Sequence, residues 1–361
     1  MPLMAASQAV QRSIDAKLLV LAADGTLLHA PRSELLRFLR AGDVVVANDA
    51  ATLPASLRGM HVPSGAEIEV RLAGIRSLSA DALRRCRAVV LGAGDFHART
   101  EHRPLPPPLA PGDRLRLGPL MATVEATLGH PRLVALVLEG STAEIWAGIA
   151  RHGRPIQYAH LLAPLALWDV WTPIAGRPVS FEAPSAGFAL DWRLVAEMHR
   201  RGIRFATLTH AAGISSTGDP ALDAHLPFDE PYAISEATVR AVRCARTRGS
   251  RVVAVGTTVV RALEHAAAGG TLRCGEGVAT QRIGPDTRLA VVDAILSGTH
   301  EPGSSHYELL RAFADDAVLR RVDAELELRG YRTHEFGDSV LVERRCATLA
   351  SKREAVAAIA A

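Results

Sequence analysis

Two imidazoles, His210 and His300, and a Gly256-Thr257-Thr258 turn followed by Arg261 and Glu264 are the residues of this sequence best suited to chemistry. An imidazole titrates near neutrality and can give or take a proton. The Gly-Thr-Thr turn stands between the apolar run Arg251 to Val255 and a helix-patterned stretch, Val259 to Ala268, stopped by Gly269-Gly270. A strand, a tight turn and a helix start leave free backbone N–H groups and two hydroxyls, a cradle for a carboxylate, a phosphate or a ribose. Arg261 and Glu264 are three apart and can share a helix face as an ion pair, which is also what an ordinary capped surface helix would carry. More polar groups close apolar runs: Asn48-Asp49, Pro184-Ser185-Ala186-Gly187, Thr209-His210 and His300. If those runs are parallel strands, their ends meet on one rim, where such folds bind small molecules. Each is equally readable alone as a turn.

The elements that must position these groups follow from the apolar pattern. Lys17 to Ala22, Val44 to Ala47, Ile203 to Leu208, Arg251 to Val255, Leu289 to Leu296 and Ser339 to Glu343 read as strands. Arg32 to Ala41, Ser141 to His152 with a Ser141/Glu144 capping box, Trp192 to Arg201 after Asp191, Glu236 to Arg248 after Ser235, Ser304 to Asp315 and Ala317 to Arg329 read as helices. From about Gly59 the texture changes to short alternating runs around a Pro-rich loop at 104–112, the pattern of a small β-barrel or sandwich. Val89 to Asp95 imitates a dinucleotide fingerprint, but His97 holds the third glycine position and no helix follows, so it reads as a turn. The expected fold is α/β: a parallel, barrel-like main domain of residues 1–59 and 146–361, discontinuous around an inserted β-barrel domain of residues 60–145. The Ala-rich tail after Arg345 reads as a terminal helix or a frayed end.

Composition narrows the function classes. With 48% apolar residues the chain is globular rather than disordered. No apolar run is long enough to cross a bilayer and the N-terminus has no secretory h-region, so a soluble cytoplasmic protein without membrane partners is expected. The four cysteines are scattered, which argues against a disulfide framework or a structural zinc. A net charge of +3 does not announce nucleic acid. Only Lys17 and Lys352 are lysines, which leaves almost no candidate for Schiff-base chemistry.

In collinear order from Lys17 to Val342, the motifs resemble those of the S-adenosylmethionine:tRNA ribosyltransferase-isomerases of the queuosine pathway. Gly42 to Asn48-Asp49 with Pro54-Ala55 resembles the family's GD-L-V-L-ND segment, and Glu182 to Gly187 its A-P-T-A-G. Glu230 and Tyr232 fall in a Glu-x-Tyr segment, and Gly256 to Glu264 is similar to G-T-T-S-V-R-x-L-E. Thr299 to Ser304 resembles F-H-L-P-K-S, and Tyr331-Arg332 with Phe336-Gly337-Asp338 resembles Y-R-F-F-S-Y-G-D.

The resemblance implies an enzyme that transfers and isomerises the ribosyl moiety of S-adenosylmethionine onto 7-aminomethyl-7-deazaguanine in tRNA. Epoxyqueuosine forms, and adenine and methionine leave. S-adenosylmethionine is the co-substrate and tRNA the partner, with no metal or prosthetic group. His210 or His300 would be general base or acid, and Asp49 or Glu230 would orient a histidine or the substrate amine. Arg261 would hold the methionine carboxylate and Gly256-Thr257-Thr258 the ribose or carboxylate. Asn48, Pro184, Ser185, Gly187, Tyr232, Glu264, Ser304, Gly337 and Asp338 complete the substrate-binding set. The chain departs from the family pattern at Ala50-Ala51 and Ser56, where the family has Thr-Arg and a second Arg, and at Ala189, where it has His. Two other readings follow: a diverged enzyme with a different acceptor, or an inactive RNA-binding homologue.

Overall fold

A run such as Val44–Asn48, buried at every position, fits only a strand covered on both faces. In the computed structural model, which describes residues 3–344, it is an inner strand of a nine-stranded sheet. The tail after Arg345 lies outside the described residues. The sheet order is Gly275–Ala279, Glu230–Ile234, Arg204–His210, Val44–Asn48, Val252–Val255, Ala294–Gly298, Ser339–Glu343, Lys17–Leu21, Leu27–Pro31. The period of two is visible in the packing. Val44 and Val46 join a core built with the helices Glu236–Thr247, Thr257–Ala266 and Asp316–Leu328. Val45 and Ala47 join the opposite core with Met198 of the helix Trp192–Arg200.

The strands Arg204–His210, Val44–Asn48, Val252–Val255 and Ala294–Gly298 are mutually parallel, so their carboxyl ends share one rim. The sheet is mixed: Glu230–Ile234 and Ser339–Glu343 flank this group antiparallel and begin at the same rim. Inserted after Val44–Asn48 is a closed six-stranded barrel whose strands run from Ser56 to Leu138, with its own core. Its order is Leu120–Thr127, Leu133–Leu138, Arg85–Leu91, Ala66–Gly74, Ser56–His61, Arg114–Leu117. Gly59 is required there, since a Cβ would lie 2.2 Å from the Arg116 carbonyl oxygen.

Several local expectations change. Arg32–Phe38 is a short 3-10 helix and Leu39 is already extended. The Asp43 carboxylate takes the Arg40 N–H at 2.9 Å, which a longer helix would need for its own ladder. Residues 289–293 are loop, and the strand begins at Ala294, because the Glu264 carboxylate rather than a neighbouring strand accepts the Ala290, Val291 and Val292 N–H groups. The helix opening at Ser305 stops at Leu310, and Asp315 caps the next. The strand Glu230–Ile234 has no clear signature because Pro231 interrupts it.

The barrel carries a buried charge cluster that reaches the main domain. Glu69 accepts from Arg71 at 2.7 Å, Arg103 at 2.6 Å and Ser56 at 2.9 Å. Burial pushes the Glu69 carboxyl up, but the two guanidiniums hold it below its ordinary value. Arg71 also bonds Thr100 and lies 5.6 Å from the centre of the Tyr158 ring. Glu69→Gln would strip both guanidiniums of their counter-charge and should lower stability by about 3 kcal/mol. Urea denaturation measures this; a loss under about 1 kcal/mol would show that the cluster is solvated by other means.

Candidate active site

The helix Thr257–Ala266 starts at Gly256, whose φ of 93° is open to glycine at little cost. No side chain caps it, so its first-turn N–H groups are unclaimed by a cap and sit at the rim with the Thr257 and Thr258 side chains. One turn on, Arg261 points to Glu230, at the start of the antiparallel strand beside His210, and forms a buried ion pair with it. Arg261 also donates to the Ala279 carbonyl at 3.1 Å, and Glu230 accepts the Gly213 N–H at 2.7 Å. Burial pushes the Glu230 carboxyl up and the Arg261 guanidinium opposes that.

These groups line a cavity of about 440 Å³ together with Pro184, Ser185, His300 and Ser304. A second chamber of about 490 Å³ shares Glu182, Ser215, His300 and His306 with the first and extends to Tyr158, His160, His334, Glu335 and the barrel residues 99–101. His300 and His306 stack at 4.3 Å between ring centres. Burial pushes His300 well below the ordinary imidazole value, and each neighbouring imidazole adds to that; burial likewise pushes His306 down, to about 4. Both are neutral at pH 7, able to accept a proton and unable to act as a stored acid. Glu182 is the opposite case. Tyr158 donates to one carboxylate oxygen, and the Ser215 N–H and hydroxyl donate to the other at 3.2 and 3.0 Å, yet burial pushes the carboxyl up to about 7.

Other expected site residues lie away from both chambers, and each has a structural task. Glu264 does not pair with Arg261; it clamps the 290–292 backbone. Asn48 holds strand ends together, exchanging bonds with the His210 backbone at 2.9 Å. Asp49 accepts from Thr209 at 2.6 Å. His210 is fully buried behind Glu230, its Nε2 3.5 Å from the carboxylate, and burial keeps it neutral, so it does not reach the cavity. Tyr232 packs in the core and bonds His265 at 2.9 Å. Asp338 accepts the Lys17 and Arg332 N–H groups at 2.7 and 2.8 Å. Gly337 is there for close approach, since a Cβ would meet the Arg332 carbonyl at 2.3 Å, and Gly187 lies against Thr172.

Glu182, Tyr158, Ser215, His306, His160, His334 and Glu335 are cavity residues that sequence reasoning did not select. Their signal was position: Glu182 precedes Pro184-Ser185, His306 follows Ser304, and His334-Glu335 precede Phe336-Gly337-Asp338. His160, His334 and Glu335 each offer one ligand atom within 4.8 Å of the others, and His160 already bonds Glu335 at 3.0 Å. They are the metal-compatible group among the described residues.

A family model described as queuosine biosynthesis protein matches residues 2–342. The S-adenosylmethionine:tRNA ribosyltransferase-isomerase of Anaeromyxobacter dehalogenans is 33% identical over 340 residues, covering 91% of this chain and 92% of that one. The protein of the same name from Moorella thermoacetica is 31% identical over 352 residues, covering 93% and 95%. Among solved structures, the S-adenosylmethionine tRNA ribosyltransferase of Thermotoga maritima has the same fold, with a TM-score of 0.50 and 23% identity over 94% of this chain and 98% of that one.

Arg261→Met would leave Glu230 buried without its partner and should cost about 3 kcal/mol, most of it recovered in Arg261→Met/Glu230→Gln. Urea denaturation of the three variants decides; losses that simply add would show that the pair is not coupled. The imidazoles give a pH signature. Below pH 6.5 the unfolded chain takes up protons at positions 300 and 306 that the native chain refuses, so stability falls from 6.5 towards 4. Glu182 acts in the reverse sense, because its native pKa of about 7 exceeds its ordinary 4.5 and its penalty is relieved as pH falls. The measurement is therefore wild type against His300→Gln/His306→Gln. Wild type should lose roughly 2 kcal/mol relative to the variant between pH 7 and 4.5, whereas parallel curves would mean solvated imidazoles.

Proposed function

The chain belongs to the queuosine biosynthesis protein family, and we propose that it is an S-adenosylmethionine:tRNA ribosyltransferase-isomerase. It transfers and isomerises the ribosyl moiety of S-adenosylmethionine onto 7-aminomethyl-7-deazaguanine in tRNA, releasing adenine and methionine to give epoxyqueuosine. The observation that carries this reading is the single cavity in which the Gly256-Thr257-Thr258 helix start, the Glu230–Arg261 pair and His300 meet. Its volume of about 440 Å³ is in the range of small-molecule sites.

The residues suggest roles. The uncapped N-terminus at Gly256–Thr258 suits the methionine carboxylate, since its N–H groups and dipole favour an anion. Arg261 is less suited to that task than the resemblance implied, because Glu230 and the Ala279 carbonyl occupy its fork. It fixes the cavity wall and neutralises Glu230. A sulfonium acidifies the adjacent C5′ protons, and His300, kept neutral by burial, has a lone pair to take one, although the same burial makes it a weaker base than a solvated imidazole. The inserted barrel, whose strands run from Ser56 to Leu138, reaches the wall of the cleft over the discontinuous α/β domain through residues 99–101. A tRNA substrate would place the protein in the cytoplasm.

The departures favour one second reading. Ala50 and Ala51 are buried, and Ser56 bonds Glu69 inside the barrel wall, so no guanidinium extends from these positions. A diverged enzyme with another acceptor would tolerate that loss. Incubation with S-adenosylmethionine and tRNA bearing the aminomethyl base separates the readings. Adenine released only with that tRNA is the expected result. Adenine released without it would favour another acceptor. No adenine, with salt-dependent tRNA binding retained, would leave a binding protein.

A further inference from the structure

Glu182 and His306 are ionisable groups at the junction of the two chambers that the proposed reaction leaves without work, and Glu182 is the carboxylate of the two. Glu182 lines both the chamber of the Gly-Thr-Thr helix start and the chamber of Tyr158, His160 and Glu335. It is held by Tyr158, by the Ser215 N–H at 3.2 Å and by the Ser215 hydroxyl at 3.0 Å. Two donors occupy one oxygen and one occupies the other, so an acceptor position remains on the oxygen that Tyr158 holds. A fixed carboxylate with a vacant acceptor position, in the wall shared by two adjoining chambers, is arranged for a donor brought from one towards the other.

The second chamber is suited to a cation. Glu182, Glu335, Glu101 and Glu301 line it against one guanidinium, Arg99, which pairs with Glu101, and four imidazoles, of which burial holds His300, His306 and His334 low while His160 bonds Glu335 at 3.0 Å. A base bearing a primary alkylammonium fits that balance. An ammonium has no lone pair, so the amine must lose a proton before it attacks a ribosyl carbon.

We infer that Glu182 is the general base that receives the acceptor's ammonium from the second chamber and deprotonates it for attack into the first. An N–H bond of the ammonium breaks, the proton passes to the free acceptor position of the carboxylate, and the electron pair stays on nitrogen as the nucleophile. The open chamber then returns the proton to solvent. Burial supports the assignment, because a carboxyl raised to about 7 is a far better match to an amine than one at 4.5. Tyr158 is a positioning residue, and burial keeps its phenol protonated and donating.

The inference rests on the transferase reading, and one experiment separates the two. Transfer to tRNA bearing the aminomethyl base is measured from pH 6.5 to 10 for wild type, Glu182→Gln and Tyr158→Phe, with S-adenosylmethionine binding measured for each. Glu182→Gln should lower kcat by about 100-fold at pH 7 and recover most of it near pH 10, where the free amine forms unaided, with binding of S-adenosylmethionine changed less than twofold. Tyr158→Phe removes one donor to the carboxylate, so the acid limb of its pH–rate profile should move up by roughly half a unit to one unit. A Glu182→Gln protein that turns over normally at pH 7, or one depressed equally at every pH, overturns the inference while leaving the transferase reading intact. Should Glu182→Gln fail to fold, an unmoved acid limb in Tyr158→Phe overturns it instead. Wild-type protein that releases no adenine removes both.

Discussion

Parallel strands impose one constraint from which the rest of this molecule follows: every strand in the group ends at the same rim, and each end leaves polar backbone to be satisfied. Four such ends meet here, at Asn48, His210, Val255 and Gly298. Two are closed internally, because Asn48 ties its own strand end to the His210 backbone and Asp49 takes the Thr209 hydroxyl. The other two open into the cavity through Gly256-Thr257-Thr258 and His300. The half of the rim that opens into the cavity is thus the one whose polar groups are not consumed by one another.

What fills that half is governed by the cost of burying charge. A guanidinium and a carboxylate, Arg261 and Glu230, neutralise each other, and in the barrel Glu69 is shared by two guanidiniums, Arg71 and Arg103. Between them lie groups with no strong counter-charge, and these respond by shifting towards neutrality: His300 and His306 downward, Glu182 upward. A carboxyl near 7 is matched to proton exchange at neutral pH, whereas imidazoles pushed this far down stay unprotonated and hold a proton only weakly. The same burial that weakens the native state at these positions makes them chemically useful.

The α/β class with an inserted small barrel was legible because strands buried on both faces carry unbroken apolar runs, as at Val44–Ala47 and Val252–Val255. The helix caps Ser141, Asp191 and Ser235 were legible because capping is local. The partner of Arg261 was not: i to i+3 spacing nominated Glu264, whereas the real partner, Glu230, arrives from 31 residues away through sheet pairing. Glu264 in turn removed the first part of a strand that the composition of 289–296 favoured, by taking the N–H groups of residues 290–292 for itself. Glu182 and Tyr158 were passed over for the same reason. Their coupling spans 24 residues of irregular chain and appears only when the loop folds back on the rim.

That dependence on distant pairing bears on how the site is assembled. Tyr158 reaches Glu182 while lying beside Arg71, whose direction is set by Glu69 on the same barrel strand. Ser215, the other partner of Glu182, belongs to the segment between the strands Arg204–His210 and Glu230–Ile234. There the neighbouring Gly213 packs 2.4 Å, measured from a hypothetical Cβ, from the Ala73 carbonyl of the barrel. A single carboxylate is therefore gripped from one side by a loop registered on the barrel and from the other by a loop wedged between barrel and sheet. The electrostatic state of Glu182 is a property of both folded units together. A shift of the barrel against the sheet would change hydrogen bonding at the junction of the chambers before it disturbed either core. The barrel thus shapes the wall of the second chamber through the loops it fixes as well as through its own residues 99–101.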